Sequence, residues 1–99
     1  MTYEFTIADS ALNDMADVWT FYQQLNGEES AQRMIDEVFD MIEQLTIFPE
    51  MGARRDKLRR GLRKISVRQH LIFYFFEKKM VRVVRVLHAR RDLETIFDV

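Results

Sequence analysis

An α+β fold of element order β-α-α-β-β-β, a helical hairpin packed on a small antiparallel sheet with a short C-terminal tail, is predicted by three features of the chain. Apolar residues first alternate with polar ones, as in a half-buried strand. They then recur at spacings of three and four over two long stretches. After residue 60 they form three runs rich in β-branched and aromatic side chains. The two periods separate helix from strand because strand side chains alternate between faces, whereas helix neighbours lie three and four apart.

Tyr3, Phe5 and Ile7 alternate with Thr2, Glu4 and Thr6, which predicts the first strand. Asp9 and Ser10 offer N-cap chemistry for a helix whose stripe is Leu12, Met15, Trp19 and Tyr22, widened by Val18 and Leu25. Asn26-Gly27 stops it, since both residues tolerate positive φ. Glu28 and Glu29 suit the positive end of a second helix, whose apolar positions are Ala31, Met34, Ile35, Val38, Met41, Ile42 and Leu45, and Pro49 ends it. So short a break makes the two helices antiparallel neighbours. The stretch 49–60 is irregular. Beyond it, Leu62 to Val67, Leu71 to Phe76 and Val81 to His88 read as strands joined at Arg68-Gln69-His70 and Glu77-Lys78-Lys79. The middle run is apolar on both faces, as a central strand covered on both sides would be.

Composition excludes much. The 99 residues suffice for one domain, 1–99, and 47% hydrophobic content argues against disorder. No apolar run approaches the roughly 20 residues of a membrane-spanning helix, and Met1 to Ala8 lack the basic cluster of a secretory signal. With no Cys, disulfide scaffolds and thiol catalysis are out, and a reducing cytoplasmic setting is expected. His70 and His88 are the only histidines, with no acid or Cys at ligand spacing, so no metal is expected. Three Gly make no phosphate-binding loop, and Ser10, Ser30 and Ser66 sit in no nucleophile elbow, so no cofactor is implied.

The net charge of −1 conceals a division. Residues 1–52 hold one base, Arg33, against eleven acids, a balance of −10; residues 53–91 hold fourteen bases against Asp56 and Glu77, a balance of +12; Asp92, Glu94 and Asp98 add −3. Either the halves neutralise each other in the fold, or one face awaits an acidic or polyanionic partner. Arg outnumbers Lys ten to four in the basic stretch, which suits bidentate contacts to phosphate or carboxylate. Arg54, Arg55, Lys57, Arg59 and Arg60 crowd the irregular segment; Arg63, Lys64, Arg68, Arg82 and Arg85 lie on or beside strands; His88, Arg90 and Arg91 leave the last strand. A nucleic-acid or acidic-protein surface is one reading, and charge protection of a sheet edge is the other. Tyr74 and Trp19 fit the apolar pattern better than a base-stacking platform.

In order along the chain stand the Ala11–Trp19 helix, Ala31 and Ile35, Pro49-Glu50-Met51-Gly52, Gly61-Leu62-Arg63-Lys64-Ile65-Ser66-Val67, His70-Leu71-Ile72-Phe73-Tyr74 and Arg85-Val86-Leu87-His88-Ala89-Arg90-Arg91-Asp92. This ordered set resembles the ParE-type toxins of the RelE/ParE superfamily, from bacterial type II toxin–antitoxin systems. The resemblance implies a sheet clasped by a helical hairpin and an antitoxin whose C-terminal segment wraps the toxin. It also implies one of two targets: DNA gyrase for ParE-like members, or mRNA in the ribosome for RelE-like endonucleases, which need no metal. RelE-like enzymes place an Arg at the start of the central strand and a Tyr in the C-terminal segment. Here Leu71 opens the predicted strand, and the tail Leu93-Glu94-Thr95-Ile96-Phe97 has no Tyr; Phe97 can stack but cannot transfer a proton. The expectation is therefore a gyrase inhibitor acting by protein–protein contact, with no catalytic residue. Its working surface is expected at Arg63, His88, Arg90 and Arg91, then at Arg54, Arg55, Arg59, Arg60, Tyr74 and Arg85.

Overall fold

A computed structural model describes residues 2–97. The elements are β1 (Glu4–Ile7), α1 (Asp9–Asn26), α2 (Glu28–Ile47), β2 (Ala53–Arg54), β3 (Arg63–Val67), β4 (His70–Glu77), β5 (Met80–His88) and α3 (Leu93–Phe97). The predicted α+β order is present, with β2 and α3 added. The five strands form one sheet in the order β1-β5-β4-β3-β2, so β4 is central.

The sheet is mixed rather than antiparallel throughout. The pairs β2–β3, β3–β4 and β4–β5 are antiparallel, but β1 lies parallel to β5, with Phe5 opposite Val81. Alternation along β1 marks one strand face as half-buried; it carries no information on which strand will be the neighbour. The helical hairpin brings the chain back so that β1 occupies the β5 edge, and the Tyr3 amide donates to the Thr46 carbonyl at 2.7 Å.

Each face of β4 has its own core. Ile72 and Tyr74 meet Met15, Val18, Met34, Val38, Ile42 and Leu45 of the hairpin. Leu71 and Phe73 meet Leu58, Leu62, Leu87 and Phe97 on the other face. That is why the run His70–Glu77 shows no polar alternation. On α2 the predicted stripe holds, with Ala31, Met34, Val38, Ile42 and Leu45 fully buried. On α1 the buried line is Ala11, Met15 and Val18, while Leu12, Phe21 and Leu25 are exposed by 48%, 53% and 61%. The predicted α1 stripe was thus too wide, because Asp14 takes a buried place in it.

Gly27, at φ 92°, closes α1 and opens α2: its amide donates to Gln23 and its carbonyl accepts from Ala31. The expected Asp9/Ser10 cap is not made. Ala8 is the N-cap residue, and the Ser10 hydroxyl instead donates 2.8 Å to the Val84 carbonyl, fastening α1 to β5. Among the described residues, no helix is long and apolar enough to cross a membrane.

Candidate functional site

Five of the ten candidate residues are engaged in holding the fold. Arg63, first of β3, donates through one guanidinium nitrogen to the Glu50 carbonyl at 3.0 Å and to the Gly52 carbonyl at 2.8 Å. Tyr74, opposite Arg63 across the ladder, is fully buried; its hydroxyl donates to the Pro49 carbonyl and accepts the Gly52 amide, at 2.8 and 2.9 Å. Burial raises the Tyr74 phenol above its ordinary pKa, against the Gly52 amide and the nearby Arg63 charge. Together Arg63 and Tyr74 pin the 49–52 loop, three of whose carbonyls accept from those donors.

Arg85 is likewise occupied. It makes a two-pronged pair with Asp14 of α1, at 2.7 and 2.9 Å, and Asp14 also accepts the Val86 amide. The β4–β5 ladder shifts register here, with Phe73 opposite Arg85, Tyr74 opposite Val83, and Val84 unmatched. A bulge re-aims side chains, and this one brings Arg85 onto the helix. Sequence reading missed Asp14, because an acid inside an apolar stripe looks like the stripe's edge.

The loop arginines divide. Arg54 pairs with Asp56, whose carboxyl is held down at about 2 by that guanidinium and by the Gly61 amide. Arg59 donates to the Phe97 carbonyl at 2.8 Å, and Phe97 packs on Phe73 with centroids 4.9 Å apart and the rings tilted by 59°. The tail aromatic is therefore core. Arg60 is exposed and Arg55 half-buried, with no side-chain hydrogen bond or ion pair among the described residues.

His88, Arg90 and Arg91 come together at the end of β5. His88 stands opposite His70, their rings 5.2 Å apart, and its Nδ1 accepts the Arg90 amide. The Arg91 amide caps back onto the His88 carbonyl, so the turn is built on β5. Arg90 and Arg91 are exposed there, and neither guanidinium has a hydrogen bond or ion pair among the described residues. Asp92 caps α3 by accepting the Thr95 amide at 3.4 Å, and it also accepts the Thr95 hydroxyl at 2.7 Å.

His70 opens β4, one residue earlier than predicted, and is 5% exposed. Burial, then the neighbouring His88, lower its pKa from 6.5. A base whose folded pKa is depressed binds its proton more readily when unfolded. Stability is thus complete above the ordinary value and falls as pH drops from about 6.5 toward the lowered one, by at most about 1.4 kcal/mol per pH unit. Urea midpoints measured between pH 7.5 and about 5.5 will show this decline in the parent chain, and His70→Gln will flatten it.

Charge is only partly neutralised by folding. Two ion pairs among the described residues join the acidic hairpin to the basic sheet, Asp14–Arg85 and Glu37–Arg68. The other two, Arg54–Asp56 and Glu77–Arg82, lie within the basic half. No group of three or more metal-ligating side chains converges among the described residues.

Residues 5–93 match the family model of the ParE toxin of type II toxin–antitoxin systems, parDE. The chain is 32% identical over 84 residues to Toxin ParE1 of Caulobacter vibrioides, covering 85% of this chain and 86% of that one. It is 27% identical over 95 residues to Toxin ParE1 of Mycobacterium tuberculosis, covering 95% and 97%. A chain in the structure of a chromosomal ParDE toxin–antitoxin system from P. aeruginosa has the same fold, with a TM-score of 0.76 at 17% identity, covering 88% of this chain and 96% of that one.

Proposed function

Because the chain belongs to the ParE toxin family of type II toxin–antitoxin systems, we propose that it inhibits DNA gyrase by protein–protein contact and is neutralised by a cognate antitoxin. The observation that carries the reading is the state of the arginines. Arg63 and Arg85 are consumed by the fold, whereas Arg90 and Arg91 stand exposed on a turn built on β5. Exposed cations on a turn anchored to a strand suit recognition of another macromolecule. His88 adjoins them and completes the proposed contact surface.

Expression without antitoxin tests the target. Filamentation with a DNA-damage response, and inhibition of gyrase supercoiling by the purified protein, are the expected results; rapid mRNA cleavage at codon boundaries would overturn the reading. The surface is tested separately. Arg90→Ala combined with Arg91→Ala abolishes toxicity and leaves the thermal midpoint nearly unchanged, since exposed charges contribute only about 0–1 kcal/mol. Full toxicity in the double variant moves the surface elsewhere, first to Arg55 and Arg60.

The antitoxin segment should carry an apolar stripe for the hairpin and acids for the basic side. Leu12, Phe21 and Leu25 are apolar side chains left exposed on α1. Steering by the basic half makes the association rate fall steeply with added salt, because exposed charges are screened beyond about 8 Å at physiological ionic strength. Stopped-flow association at several salt concentrations checks this, and a flat profile counts against steering.

A further inference from the structure

Between α1 and the ends of β4 and β5 lies a cleft of ≈ 280 Å³. Its apolar wall includes Val18, Phe21 and Val86, and its polar wall includes His70, His88 and Arg91, with Asp14 and Asp17 on the helix side. Asp14 is already satisfied by Arg85 and the Val86 amide.

The histidines settle the polarity of the other side. His70 Nδ1 is buried without a hydrogen-bond partner among the described residues. A buried lone pair left unmade is tolerated better than a buried N–H, so the proton sits on Nε2. With Nδ1 sealed, Nε2–H is the atom that can donate into the cleft. His88 Nδ1 accepts the Arg90 amide at 3.1 Å, which places the His88 proton on Nε2 as well, where its present contact is a long one of 3.4 Å to the exposed Gln69 Oε1 that a carboxylate would replace. Arg91 adds a guanidinium that is donor only. The strand side of the cleft is thus rich in donors and short of acceptors, beside an apolar wall that Phe21 extends into solvent at 53% exposure.

We propose that this cleft is a docking pocket for an acidic segment of a partner protein. It takes one apolar side chain against Val18, Phe21 and Val86, and the adjoining carboxylate at His70, His88 and Arg91. The exposed Asp17 on α1 repels a carboxylate from the helix side and so fixes the orientation. The pocket's chemistry is the same whether the toxin's target is gyrase or another protein.

The test titrates the full-length protein, labelled with ¹⁵N, with N-acetyl-L-leucine as a carboxylate probe and its neutral amide as control. Saturable shifts of the His70 and His88 ring resonances and the Arg91 side chain are expected, with an affinity in the millimolar range for so small a ligand. The amide should bind about fivefold more weakly, having lost the charge-assisted bonds. Arg91→Gln and Phe21→Ala, both at exposed positions, should each weaken the carboxylate about threefold or more with the thermal midpoint unchanged. Failure to saturate, equal binding of acid and amide, or shifts confined to the 54–60 loop would each overturn the proposal.

Discussion

Asp14→Ala lowers the folding stability by about 3 kcal/mol, the largest loss expected from any polar side chain of the hairpin. Asp14 is 8% exposed and accepts three hydrogen bonds, two from Arg85 and one from the Val86 amide. Removing it strands a half-buried guanidinium and a buried amide at the sheet's register shift. For a domain of this size the thermal midpoint falls by roughly 15 °C. Asp14→Asn retains an acceptor for the amide and loses the charge, so its loss is smaller. Asp14→Ala combined with Arg85→Ala is less harmful than the sum of the two single changes, because no unpaired charge remains. Thermal and urea unfolding of the four variants measures the coupling; a single-variant loss below about 1 kcal/mol would show that water replaces the pair.

Gly52→Ala is the second large effect, expected at about 2–3 kcal/mol. Its φ lies outside the left-handed region, so the constraint is close approach. An added Cβ would sit 2.8 Å from Tyr74 Cε1 and 2.9 Å from the Lys64 carbonyl, with the Tyr74 hydroxyl nearer still. The carbonyl belongs to β3, and the tyrosine, fully buried and hydrogen-bonded at its tip, has nowhere to withdraw. Tyr74→Phe by itself costs about 2 kcal/mol, since it leaves the Gly52 amide and the Pro49 carbonyl without their partner. When Gly52→Ala is combined with Tyr74→Phe, the added methyl meets no hydroxyl. The combined loss is therefore less than additive, and denaturant unfolding of the cycle reads that difference. Strict additivity would mean that the clash is with the ring carbon and the Lys64 carbonyl and not with the hydroxyl.

Element type and order were legible in the chain because they depend on local pattern. Period 3.6 across Ala31 to Leu45 and the two-faced apolar run of β4 report how side chains divide between core and solvent; period two in 3–7 marked a strand although Phe5 is 40% exposed, and Asn26-Gly27 marked the break between helices. The family was legible from short motifs standing in order along the chain, and relatives at 27–32% identity bear it out. Pairing was not. That β1 runs parallel to β5 is decided by where the hairpin returns the chain, which no local pattern records. Nor could composition tell an arginine engaged by the fold from an exposed one. Arg63, Arg85 and Arg59 became structural because tertiary contacts bring carbonyls or a carboxylate from 11, 71 and 38 residues away within hydrogen-bond reach. Arg90 and Arg91 are exposed on the turn after β5, and no acceptor reaches either guanidinium among the described residues. A guanidinium's role is set by the acceptors the fold brings to it, and those lie far away along the chain.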